Sequence, residues 1–155
     1  RKIEELSVDS LGGSDFESIK MVSYIQAYKL KTKVVRGSSA ISAGFSLLMA
    51  GRDIKVYEGA VVGTHAVWYP RQSYNDIYLL DEEEDQKPPF YHLNIGITSV
   101  TNAIKFDRET LGIPGWLIVK YITKINGSMY YLNFSDVIKL EAEGKISYIQ
   151  QGGLK

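Results

Sequence analysis

Three short stretches hold residue types that can work together on an acyl group. Ser42 is one of four serines between residues 38 and 46, set apart by its small neighbours Ala43 and Gly44. It falls where an expected strand meets an apolar helix. Small residues admit a substrate closely, and a helix start offers backbone amides to developing negative charge. A tight helix start packed on a sheet would show the same pattern. Gly12-Gly13 follows the first expected strand, where two glycines let the backbone turn sharply and present an amide to a ligand. The pair lacks the spacing of a dinucleotide-binding loop, and no GxxxxGK[ST] phosphate loop occurs in the chain. His65 ends a strand in the order Gly63-Thr-His-Ala66. From there an imidazole can serve a serine on the neighbouring crossover as general base, or be a satisfied core histidine.

The elements that must position these residues follow from apolar spacing and breakers. Ile3 to Val8 reads as a short strand, followed by the turn Asp9 to Ser14. Phe16, Ile19, Val22, Tyr24, Ile25 and Tyr28 fall mainly at helical spacing and predict a helix over Asp15 to Leu30, capped by Ser14 or Asp15. Lys33 to Arg36 is the next strand, Phe45 to Ala50 an apolar helix, and Arg52 to Val56 and Ala60 to His65 two further strands around Glu58-Gly59. Alternating strand and helix imply an α/β layer with crossover connections.

Residues 69–93 differ, with the acidic run Asp81 to Asp85 and the breaker pair Pro88-Pro89, and are expected to form an exposed excursion. Ile95 to Ile104 can be helical, and Pro114 suits the start of a helix running to Ile125. Tyr130 to Leu132 is extended, Asn133 or Ser135 can cap a helix to Glu143, Gly144 ends it, and Lys145 to Gln150 is the last strand. Residues 1–150 thus form one domain, with 151–155 a frayed tail.

Composition excludes several function classes. Of 155 residues, 45% are hydrophobic and 23% charged, which argues against wholesale disorder. Lysine plus arginine number 18 and aspartate plus glutamate 18, so no net charge marks the chain for nucleic acid. The absence of cysteine excludes disulfides, thiolate metal sites and a cysteine nucleophile. The two histidines, His65 and His92, show no metal-ligand spacing with the scattered carboxylates, and no metal or cofactor is expected. No apolar run reaches the roughly 18 residues of a membrane span. The chain starts without methionine and reads as a processed product, with any upstream strand, signal or anchor outside it.

Taken together, Asp9-Ser-Leu-Gly-Gly13, Gly37-Ser-Ser-Ala-Ile-Ser-Ala-Gly44 with Phe45 to Gly51, and Ala60-Val-Val-Gly-Thr-His65 resemble the Clp-type serine peptidases and their crotonase-like fold relatives. The predicted extracytoplasmic Clp-like proteins are nearest in character. The resemblance covers residues 6–68 well and Met129 to Ile149 weakly. It implies an α/β Clp/crotonase-like layered β-sheet with crossover helices, the family's first strand and helix lying outside this chain. It also implies Ser42 as nucleophile, His65 as base, and the amides of Gly13 and Ala43 as the oxyanion hole. The interval from Gly13 to Ser42 holds one helix and one strand, and that from Ser42 to His65 a helix and two short strands.

Two departures stand out. Leu11 replaces the family's proline in the turn. Where the family places its orienting aspartate, this chain has Asn126-Gly-Ser-Met129, with no carboxylate. Such an acid fixes the histidine tautomer and stabilises its imidazolium. Asp107 is the nearest candidate for that role, ahead of Asn126, Asp76 and Asp136. Membrane-associated relatives use a serine–lysine pair. Lys87 could supply it, although the adjacent acidic run favours a charged lysine, which makes His65 the better base.

The resemblance implies a peptide or protein substrate, a homo-oligomer and an extracytoplasmic or periplasmic setting. Trp68-Tyr69-Pro70 could line a cleft or an interface. Three readings are carried forward. The first is a serine hydrolase, an endopeptidase acting through an acyl-enzyme. The second is a catalytically degenerate Clp-like domain that binds peptides or proteins, favoured by the missing carboxylate. The third, a coenzyme A thioester enzyme on the crotonase fold, is disfavoured by a serine and a histidine in the peptidase positions.

Overall fold

A computed structural model describes residues 2–66, 103–124 and 128–151. The expected excursion at 69–93, with Asp76 and Lys87, lies outside the described residues, as do Trp68, Asn126 and residues 152–155. The elements are β1 (Glu5–Ser7), α1 (Asp15–Ala27), β2 (Lys31–Val34), β3 (Ser39–Ile41), α2 (Ala43–Met49), β4 (Ile54–Tyr57) and β5 (Val61–Thr64). A π-helical turn, Phe106–Thr110, precedes α3 (Gly115–Ile122), β6 (Tyr130–Tyr131), α4 (Phe134–Ala142) and β7 (Ser147–Ile149).

The sequence pattern suggests one sheet for the first half, and the structure has two. One sheet runs β1-β2-β4-β7, with all its pairings parallel. The other runs β3-β5-β6, with β3 parallel to β5 and β6 antiparallel to β5. The difference arises in the small-residue run, where Ser39–Ile41 forms a strand too short for periodicity to reveal. β3 pairs with the later strand β5, Ser39 opposite Val61 and Ile41 opposite Gly63.

In the first sheet Thr32 and Val34 on β2, and Ile54 and Val56 on β4, alternate inward with outward-facing lysines. Against that face lie Val22 and Ile25 of α1 and Phe45, Leu48 and Met49 of α2, all buried. The buried hydroxyl of Thr32 donates to the carbonyl of Leu48 at 2.6 Å, joining β2 to the end of α2. Gly51 is required there, because a Cβ would lie 2.1 Å from Thr32 Oγ1.

Several boundaries shift for local reasons. α1 stops at Ala27, short of Leu30, because Lys29 turns into the left-handed region at φ 51°. β2 begins at Lys31, where pairing with Glu5 of β1 sets the register. Pro114 stands just before α3 in an extended conformation (ψ 145°) and outside the helix. Asn133 is the cap of α4, in a reciprocal capping box with Asp136, and Gly144 follows the helix at φ 68°.

Candidate active site

The β3–β5 ladder continues one step beyond its strands. The Ser42 amide donates to the carbonyl of Gly63 at 2.9 Å, which sets Ser42 beside the end of β5 and the histidine that follows. There the chain turns abruptly into α2. Ser42 has φ 55° and ψ −117°, a conformation that costs a non-glycine residue on the order of 1–3 kcal/mol. Its neighbours hold it: the Ser42 carbonyl accepts from the amides of Phe45 at 2.9 Å and Ser46 at 3.3 Å. Gly44 packs so closely on Ser10 that a Cβ would meet the Ser10 carbonyl at 3.0 Å. The turn leaves the serine half-buried, and its Oγ lies 2.8 Å from His65 Nε2.

The glycine turn is laced to the same strand. Ser10 donates its amide to the Ser39 carbonyl at 2.7 Å, its own carbonyl accepts from Ile41 at 3.0 Å, and Asp9 Oδ1 accepts from the Ser39 amide at 3.0 Å. These bonds carry Gly12 against the serine. At φ 115° a Cβ on Gly12 would come 3.0 Å from Ser42 Cβ. Gly13 has open space where its Cβ would be. The two glycines therefore serve different ends, one fitting against Ser42 and the other leaving room beside it.

The other ring nitrogen of His65, Nδ1, lies 3.0 Å from the carbonyl oxygen of Ala66. Asp107 instead accepts a hydrogen bond from the Tyr121 hydroxyl. Burial and then the adjacent Asp107 carboxylate push the Tyr121 phenol well above its ordinary range, so it remains a neutral donor. Asp136 is also engaged away from the histidine. It is only 2% exposed, paired with Lys120, and accepts from the Tyr130 hydroxyl at 2.6 Å and the Asn133 amide at 3.1 Å. Burial acts to raise its carboxyl, but the bonds from Lys120, Tyr130 and Asn133 outweigh that and hold it below the usual range. Asp136 correspondingly raises the Lys120 ammonium through their hydrogen bond.

Tyr130 and Tyr131 pair with Thr64 and Gly63, so the Asp136 cluster grips the strand that flanks the histidine. Gly63 accommodates this pairing, because a Cβ there would lie 2.9 Å from the Tyr131 ring. The sequence carries two signals for the cluster: the Asn133–Asp136 capping spacing and the lysine on an otherwise apolar α3. Nothing in residue type marks the Ala66 carbonyl, since every residue has one. Among the described residues no cluster of histidine and carboxylate side chains could hold a metal ion, and no helix is long and apolar enough to cross a membrane.

Two sheets joined by short helices, with a positive-φ serine at a strand-to-helix junction, make an α/β architecture that resembles the Clp/crotonase type. Many solved structures resemble it, among them the following two. A mutant of ClpP1 from Listeria monocytogenes superposes with a TM-score of 0.59 at 14% identity, over 95% of this chain and 73% of that one. A mutant of the 1510-N membrane-bound stomatin-specific protease superposes with a TM-score of 0.55 at 19% identity, over 97% of this chain and 66% of that one. These likenesses are of fold. No family model matches the sequence, and no curated protein does.

Proposed function

We propose that the chain is a serine hydrolase acting on peptides or proteins through an acyl-enzyme. The observation that carries this reading is the 2.8 Å contact between Ser42 Oγ and His65 Nε2 at a strained turn. A serine hydroxyl is a weak nucleophile until a base takes its proton, and hydrogen-bond reach between the two is the geometric requirement. In the reaction Ser42 Oγ bonds to the substrate carbonyl carbon as its proton passes to His65 Nε2. The amides of Gly13 and Ala43 are assigned to the oxyanion. His65 then gives its proton to the leaving amine as the carbon–nitrogen bond breaks. Water, deprotonated by the same imidazole, attacks the ester and releases the acid and free Ser42.

The degenerate-domain reading has one observation in its favour: among the described residues a backbone carbonyl, and no carboxylate, lies at His65 Nδ1. Fluorophosphonate labelling with peptide mapping separates the two. A hydrolase labels at Ser42, and both Ser42→Ala and His65→Ala lose the label. A folded wild-type chain that takes no label supports the binding domain instead. The peptidase reading also includes a homo-oligomer, for which light scattering on the eluted protein should give a mass above that of one chain. A strict monomer counts against that part.

A further inference from the structure

We propose that the carbonyl of Ala66 is the group that orients His65, filling the place of an acidic side chain. This rests on the hydrolase reading and specifies its third member. The carbonyl oxygen, 3.0 Å from Nδ1, carries no proton and can only accept. Nδ1 therefore holds the ring hydrogen. A neutral imidazole has a single N–H, so Nε2 presents its lone pair, and the Ser42 hydroxyl 2.8 Å away donates to it. The two bonds together select the tautomer a general base needs.

The residue that binds the ring is the next one in the chain, so the orienting acceptor is fixed by the backbone that delivers the histidine. It does not depend on which side chain occupies position 66. The Asp107 carboxylate meanwhile receives the Tyr121 hydroxyl. An acid would fix the tautomer and add a full negative charge beside the imidazolium. The carbonyl fixes the tautomer with a dipole alone. Ala66 is thus a positioning residue acting through its main chain.

The test uses the full chain labelled with nitrogen-15. Long-range correlation of the His65 ring, at a pH where titration shows it neutral, should place the proton on Nδ1. Replacing Val67 by its α-hydroxy acid converts the Ala66 carbonyl from an amide to an ester, a weaker acceptor. The Nδ1 proton should then move upfield, and fluorophosphonate labelling should slow roughly three- to tenfold, the effect of one weakened hydrogen bond. Asp107→Asn should leave the tautomer and the proton shift in place.

A ring proton on Nε2 overturns the proposal. So does an Nδ1 proton that ignores the ester yet shifts in Asp107→Asn, since the acceptor would then be the carboxylate. The wild-type spectrum and the ester decide the matter even if Asp107→Asn fails to fold. The hydrolase reading fails separately: Nδ1–H with no label at Ser42 sinks that reading and leaves the positioning. A label at Ser42 with Nε2–H does the reverse.

Discussion

The Ser42–His65 crossing and the Asp136 cluster adjoin the same pair of strands, β5 and β6, yet are built from opposite materials. Around Asp136 a buried carboxylate has a lysine, a tyrosine hydroxyl and a helix-capping amide as partners, in a relaxed capping box. At Ser42 the backbone is strained, and its contacts are largely main-chain groups: the Gly63 carbonyl behind the serine, the Ala66 carbonyl behind the histidine. Charge is invested where rigidity is wanted. Among the described residues the hydrogen-bond partners of the Ser42–His65 pair are neutral groups whose positions are set by strand register, so the scaffold and the site can be broken separately.

The sharpest way to break that contrast is Asp136→Ala. It removes the helix cap and the partner of Lys120 and Tyr130 together, and should cost about 3 kcal/mol in urea denaturation. Molecules that remain folded should still label at Ser42. Lost labelling with little lost stability would instead join the two regions into one unit. The cluster also sets a pH dependence. The Asp136 carboxyl is held low in the folded state, so its stabilisation is fully present above the ordinary aspartate value of about 4. It is lost as the pH falls through the lower folded value, and Asp136→Asn should flatten the stability curve in that acid range.

Next in size is Gly12→Ala, which demands a positive φ of an L-residue and sets a Cβ 3.0 Å from Ser42 Cβ. We expect about 2 kcal/mol of destabilisation and a fall of at least about tenfold in labelling rate. Gly13→Ala has free space for its methyl and should stay within about 0.5 kcal/mol. Equal losses in the two would mean that the turn acts only as a unit. The smallest effect separates strain from chemistry. Ser42→Gly should be more stable than Ser42→Ala by about 1 kcal/mol in thermal melts, because glycine tolerates φ 55°.

Much of this arrangement was legible in the residue order. Small residues around Ser42 signalled a sharp strand-to-helix junction, and His65 after Gly63-Thr64 signalled a strand end. Long-range pairing was less visible. β3 has three residues, too few for alternation to register, yet it is the strand that brings Ser42, Gly12 and His65 together. Sequence shows the Asp107 carboxylate but not the Tyr121 hydroxyl that donates to it. Asp136 was readable as a first-turn helix residue, whereas its bond to Tyr130 depends on β6 folding back against α4. Side-chain types announce chemistry, and register decides which types meet.

The bond from the Ser42 amide to the Gly63 carbonyl has a practical consequence. It is the last rung of a parallel ladder, and it spans the gap between the segment bearing the serine and the segment bearing the histidine. That amide proton can be replaced by deuterium only when the two segments part. Its exchange rate is therefore a built-in gauge of how often the pair comes apart, readable without substrate, inhibitor or turnover.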